Sequence, residues 1–308
     1  MVGTSSTSGG KDYDVCHAEY GKTGVKVLYI YKAGLHQTPR EVEVTTRLSL
    51  SARNEYKYGD NRDIIGTDSQ KNIVYVLAKK HGITSPEEFG ILLAQFFLDQ
   101  YSHVVESSVT VIETTWDRLE MNGIKHKHAF VHNPSVERWA SVKMNRKDAP
   151  IITAGLRGLR VLKTTQSEFK NFYRDEYRTL VDTDDRIFST IVTAEWVYSS
   201  HIGVDFDQAW NKVLSCILEK FAGPPEEGVL SKSVQHTLYL ACGLALESIP
   251  QIKRIQMDMP NKHYFDMDLS AFPKNMVGVG VNKNVFLPTD KPSGFIHAAL
   301  ERQGISKL

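Results

Sequence analysis

The stretch from Gly66 to Lys80 reads GTDSQKNIVYVLAKK. Thr67, Asp68 and Ser69 can each cap orphan backbone N–H groups, and Ile73, Val74, Leu77 and Ala78 then recur with a helical period. One cap is enough to start a helix. A helix N-terminus is also an anion site, so Thr67 and Asp68 either only start the helix or hold an anionic ligand against it, with Ser69 left free to cap. A second candidate is MPNKHYFDMDL, residues 259–269. On a strand, Asn261, His263 and Phe265 share one face and Lys262, Tyr264 and Asp266 the other. Asn and His two apart suit a core poorly, because both need partners when buried, but they suit a small polar molecule or a water. A third is HKHAFVH, with His126, His128 and His132. Two of these could share a strand face and hold a transition metal, but no further ligand stands at a fixed spacing, so no metal is expected.

Composition narrows the classes. The 308 residues carry 37 basic and 36 acidic side chains, a net charge of +1, so no global field steers the chain to nucleic acid or a membrane. Cys16, Cys216 and Cys242 lie far apart with no CxxC pair, which argues against a disulfide framework or cysteine-bound zinc and fits a reducing compartment. No apolar run reaches the roughly 18 residues that span a bilayer. The leader MVGTSSTSGGKDYD has no apolar signal region and reads as disordered. The chain finishes Ser306-Lys307-Leu308, the tripeptide read as a peroxisomal import address.

The elements that must position these residues fall into two similar halves. In the first, residues 25–32 and 41–51 read as strands, 69–81 and 86–101 as helices, and 104–118 and 127–142 as strands. Ser85-Pro86-Glu87-Glu88 gives the second helix a cap, a proline at its first position and acids in its first turn. The second half repeats the order: strands at 158–165 and 186–199, helices at 206–222 and 231–248 around the breaker Gly223-Pro224-Pro225, then strands at 252–259 and 261–269 with a Gly/Asn-rich stretch near 278–284. That order predicts an α+β fold, antiparallel sheet with helices layered on one face, with a boundary near 146–150 and sheet edges that a second subunit would cover.

The Thr-Asp pair of GTDSQKN, LKTTQSEFKNFYRDEYRTL (162–180), DRIFST (185–190), SVQHTLY (233–239), PNKHYFDMDLS and the terminal SKL together resemble the urate oxidase family over residues 20–308. The resemblance implies two tandem tunnelling-fold units, 20–148 and 149–303, after a leader over 1–19 and before a targeting tail over 304–308. It implies a homotetramer around a central tunnel with sites at subunit interfaces, and a cofactor-free oxidation of urate by O2 to 5-hydroxyisourate and hydrogen peroxide. Peroxide production suits the tail, since peroxisomes contain catalase. Carried over by position, Lys22 and Thr67 match the catalytic lysine and its partner threonine, and His263 the active-site histidine. Arg186 and Gln235 match the pair that grips the purine, and Phe169 the aromatic that stacks on it. Val234 and Asp68 supply backbone contacts, and Asn261 lies over the ring face where oxygen or water sits. Apart from the resemblance, a lysine in a Gly-Lys-Thr-Gly turn reads as a solvated loop residue.

The residue types fit that chemistry. A guanidinium offers parallel donors in a rigid fork to an anionic purine edge, and an amide reads an adjacent C=O/N–H edge. Lys22 acts as a base only with a lowered pKa, relaying a proton through Thr67, with His263 tuning the relay. Two other readings stand beside this one: a purine- or pterin-handling tunnelling-fold enzyme of cyclohydrolase or aldolase type, and a catalytically silent purine-binding oligomer. The zinc cluster common among the cyclohydrolases is missing from the sequence, and retention of both Lys22 and Thr67 favours the enzyme over the silent binder.

Overall fold

The computed structural model describes residues 13–280 and 282–303. In the first half, β1 (Tyr20–Ala33) and β2 (His36–Leu50) precede the short α1 (Asn54–Lys57) and the long α2 (Thr67–His81) and α3 (Pro86–Gln100), followed by β3 (Val104–Thr114), β4 (Trp116–Met121), β5 (Ile124–His132) and β6 (Glu137–Asn145). The second half runs β7 (Ile151–Lys163), β8 (Phe188–Tyr198), α4 (Phe206–Ala222), α5 (Val234–Ser248), β9 (Ile252–Asp258), β10 (Asn261–Asp266), the short α6 (Lys274–Val277), β11 (Phe286–Thr289) and β12 (His297–Glu301). All ladders are antiparallel, in the order β1-β2-β3-β6-β7-β8. There β8 divides: Thr193–Tyr198 pairs with β9, which pairs with β12, while Ser189 and Thr190 pair with β10, which pairs with β11.

Period-two patterning puts one sheet face under the helices. Val42, Val44 and Leu48 on β2, Val109 and Val111 on β3, Ala140 and Val142 on β6, and Val192, Ala194 and Trp196 on β8 are buried. Leu77, Phe89, Leu93 and Phe97 cover the first half, and Val213, Ile217, Leu238 and Ala245 the second. Each such large side chain contributes roughly 1.5–3 kcal/mol of burial. Gly90 permits the close approach of α3, since a Cβ there would lie 2.8 Å from Val142 Cγ2. The opposite face keeps polar neighbours such as Thr110 and Ser141, whose hydroxyls lie 3.4 Å apart. The expected α+β architecture, with a strand pair, helix pair and strand pair in each half, is therefore present.

Several expectations need correcting. The anticipated strand at 104–118 breaks at Thr115, whose hydroxyl donates to Asn133 O at 2.6 Å, and that at 127–142 breaks likewise. Between the breaks β4 and β5 form a separate hairpin, turned by Asn122 and Gly123 at φ 53° and 76°. The strand expected at 261–269 ends at Asp266, and β9 is flanked by β8 and by β12, which the sequence reading lacked. Lys22 lies within β1, not in a loop. Of the leader, residues 1–12 lie outside the described residues, but Ala18 is buried with its carbonyl accepting from Ser49 Oγ, and Asp14 pairs with Lys57 at 2.7 Å. Ser306, Lys307 and Leu308 lie outside the described residues.

Candidate active site

The predicted site residues gather in two clusters. The first forms where β1 meets the start of α2. Lys22 pairs with Thr46 on β2, just before a bulge between Lys22 and Val25 where Gly24 takes φ 69°. Gly21 is obligatory, since its Cβ would stand 1.7 Å from Thr46 O. Thr46 Oγ1 accepts from Lys22 N at 3.4 Å and donates to Gln70 Oε1 at 2.8 Å. Gln70 in turn donates to Ile65 O, and Ile65 N to the Tyr20 hydroxyl. The strand that carries Lys22 is thus tied to the turn that opens α2.

Thr67 and Asp68 are the first two residues of α2, both exposed. Ser69 does not cap: the cap position is Gly66, with no side-chain hydrogen bond. The leading N–H groups therefore keep their donors and the positive end of the helix dipole for a ligand. The Asp68 carboxylate turns to its own helix, accepting from Lys71 at 2.6 Å and Asn72 at 3.0 Å. The Lys71 contact chiefly, with Lys22 among the lesser causes, holds it below the usual carboxylate range.

The second cluster is built from a folded-back loop, α5 and β10. Phe169 exchanges two backbone hydrogen bonds with Thr183, and Arg186 N donates to Ser167 O at 2.8 Å, so Phe169 and Arg186 meet. The Arg186 guanidinium carbon lies 5.0 Å from the Phe169 ring centroid, and Phe172 stacks on the ring's neighbourhood at 4.8 Å and 11°. Burial alone pulls the Arg186 pKa down, and among the described residues no carboxylate pairs with it. Val234 and Gln235 open α5, capped by Ser233 through His236 N. Val234 is buried and Gln235 exposed. On β10, Asn261 pairs with Thr190 and His263 with Thr289. The His263 ring stacks on Phe265 at 5.6 Å, as their shared face requires. Burial first and the Arg186 charge second lower the His263 pKa, which favours the neutral imidazole.

The chain does not bring these clusters together. Lys22 sits on β1 at one sheet edge, while Arg186 precedes β8, five ladder steps away. At about 4.8 Å per step that is roughly 24 Å along the sheet. The third candidate stands apart from both: the His126 and His128 rings lie 4.7 Å apart on the β4–β5 hairpin, with no metal-binding group of three among the described residues. Sequence reasoning missed Thr46 and Gln70, which lock Lys22 to α2. The signal was there: each is a polar residue on an otherwise apolar face, Thr46 between Val44 and Leu48 and Gln70 ahead of Val74 and Leu77.

The Arg186 fork is expected to matter beyond its charge. Arg186→Lys keeps the cation but cannot make two parallel contacts. Loss of one charge-assisted bond, roughly 1.5–3 kcal/mol, lowers kcat/KM by about one to two decades. Steady-state kinetics with urate, the substrate the sequence resemblance implies, check this, and an unchanged kcat/KM would remove Arg186 from the site.

Comparison with known proteins bears on the whole arrangement. A family model described as Uricase matches residues 18–143 and 152–297, one match in each half. The uricase of Drosophila pseudoobscura pseudoobscura is 45% identical over 316 residues, covering 96% of this chain and 91% of that protein. The rabbit (Oryctolagus cuniculus) uricase is 41% identical, covering 99% of this chain and 100% of its own. The crystal structure of uricase from Arthrobacter globiformis superposes with a TM-score of 0.85 at 33% identity, covering 96% of this chain and 97% of that one. Similarity at this identity, running nearly the full length of both partners and embracing both clusters, establishes that the chain belongs to the uricase family.

Proposed function

We propose that the protein is a urate oxidase that converts urate, O2 and water to 5-hydroxyisourate and hydrogen peroxide, with no metal or flavin. One observation of the site carries the reading together with family membership. Arg186 is a half-buried guanidinium with no carboxylate partner among the described residues, set beside the Phe169 ring. A buried cation of that kind calls for an anionic, flat ligand. Urate is a flat anion with donors and acceptors around its rim. Arg186 and Gln235 would hold one edge, Phe169 would cover one face, and the N–H groups of Thr67 and Asp68 would meet the opposite edge.

Ground-state O2 is a triplet and reacts slowly with closed-shell molecules, so the electrons must come from an electron-rich urate dianion. The protein's task is then to take a proton and stabilise the charge that results. Lys22 and Thr67 form the relay that removes it, and the neutral His263 tunes that relay and orients the water that attacks the oxidised ring. Asn261 holds the small molecule over the ring face. The overall change balances: urate loses two electrons and gains water's oxygen, and O2 takes the two electrons and two protons as peroxide.

The test is loss of the urate absorbance band in aerated buffer with no added cofactor, with one peroxide formed per urate consumed. Activity is expected to survive exhaustive chelation. Loss on chelation that one metal restores would overturn the cofactor-free reading and return attention to His126 and His128.

The proposal includes assembly and location. β1 leaves one edge unpaired and exposes Leu28, Ile30 and Tyr31, while β12 leaves another, which suits pairing with further copies into a tetramer around a tunnel. The tail Ser306-Lys307-Leu308 is proposed as the peroxisomal address. Deleting these three residues should leave turnover intact and abolish import. Colocalisation of the truncated protein with peroxisomes, in cells without a full-length copy to carry it, would refute the address.

A further inference from the structure

Lys163 closes β7 behind the second cluster, and nothing above uses it. Its ammonium donates to Val229 O at 2.8 Å and to Ser231 Oγ at 2.7 Å. It lies 5.9 Å and 5.6 Å from the centroids of Phe188 and Phe221, and no carboxylate forms an ion pair with it among the described residues. Burial pulls its pKa to about 8 against the modest opposing effect of Asp185. A half-buried lysine held by neutral oxygens and aromatic rings is costly, and such groups concentrate where a fold positions something.

Its acceptor, Ser231, joins three segments. The Ser231 backbone accepts from Glu168 N and donates to Gln166 O, both at 2.9 Å, and so grips the loop that carries Phe169. Ser167, between those two residues, accepts from Arg186 N. The buried Ser231 hydroxyl also accepts from Thr237 Oγ1 at 2.9 Å, inside α5, which Val234 and Gln235 open. Lys163 thus anchors a residue that ties the Phe169–Arg186 loop to the start of α5.

We infer that Lys163 is a positioning residue for purine binding, clamping Ser231 so that Phe169 and Arg186 are held in register with Val234 and Gln235. It touches no substrate; it sets the spacing of the groups that do. A misplacement of such groups by a fraction of an ångström is felt in binding.

The inference rests on the proposed activity, and wild-type turnover of urate and wild-type binding of xanthine test that reading separately. Lys163→Met keeps the stem and removes the donor; Ser231→Ala removes the acceptor and serves if the first variant does not fold. For each, KM and kcat for urate and the xanthine dissociation constant are measured below the melting temperature. Both constants are expected to rise about tenfold in Lys163→Met, a change of about 1.4 kcal/mol, with kcat within about threefold of wild type. The double variant should be no worse than Lys163→Met alone, because both substitutions break one clamp. Unchanged KM and xanthine affinity, a fall confined to kcat, or effects of the two substitutions that add would each overturn it.

Discussion

Thr67→Ala and Arg186→Ala, each inactive alone, are expected to restore about a quarter of wild-type activity when mixed in equal amounts and reassembled. The two residues sit five ladder steps apart in one chain, Thr67 beside β1 and Arg186 before β8, and in the proposed assembly the first half of one copy meets the second half of another to complete each site. Removal of a transition-state donor costs about a hundredfold or more, so each variant alone should sit near background. In a mixed pair, one site combines both intact halves and the other both damaged halves. Random assembly makes about half of the pairs mixed, each with one good site in two, hence the quarter. The measurement is initial rate against mixing ratio, with mixed oligomers verified by mass. Activity that stays at background despite verified mixing would place the whole site within one chain.

The features legible in the sequence were those encoded locally. α4 was predicted to the residue, because Asp205 caps it through Gln208 N and Gly223 ends it at φ 75°. α3 announced itself through Ser85 and Pro86, and Ser85 does accept from Glu88 N at 3.1 Å. The face shared by His263 and Phe265 followed from strand alternation alone. What escaped depended on distant pairing. β12 is short and only Ala298 and Leu300 suggest alternation; β9 makes it a strand, and nothing nearby in sequence signals that. Lys22 looked like a turn residue because Gly21 and Gly24 flank it. Those glycines instead serve a close strand approach and a bulge. The β4–β5 hairpin did carry a local signal in Asn122-Gly123, which the long alternating run around it obscured. The residues assigned by family resemblance were placed in two clusters, but periodicity alone would have singled out only Thr67, Asp68, Asn261 and His263.

Arg138→Met is expected to cost about 3–5 kcal/mol, the usual consequence of removing one partner from a buried charge group. Arg138 is 4% exposed on β6 and donates to Glu87 Oε2 at 2.9 Å on α3 and to Asp207 Oδ1 at 2.6 Å on α4. Its other neighbour, Glu113 on β3, lies at 3.5 Å and accepts from Arg40 at 2.6 Å, and Arg40 donates again to Asp207 at 2.7 Å. The group joins four elements of the first half (β2, β3, β6 and α3) to α4 of the second, so it fastens the halves as well as burying charge. Two guanidinium groups answer three carboxylates, and burial outweighs the Arg138 charge in pushing Glu87 up. Without Arg138, Glu87 loses its guanidinium partner and Asp207 keeps only Arg40, so the folded pKa values of these two carboxylates rise. A carboxylate whose folded pKa lies above its unfolded value gains stability from protonation as pH falls, so the deficit of the variant should shrink on acidification. Apparent Tm should drop by roughly 6–20 °C near pH 8 and by less near pH 5.5. Glu87→Gln, which keeps a hydrogen-bond acceptor for Arg138 and removes a charge that burial opposes, should cost less than Arg138→Met at the higher pH. An Arg138→Met protein that melts with the wild type, or whose deficit is the same at both pH values, would show that the group contributes no electrostatic stability.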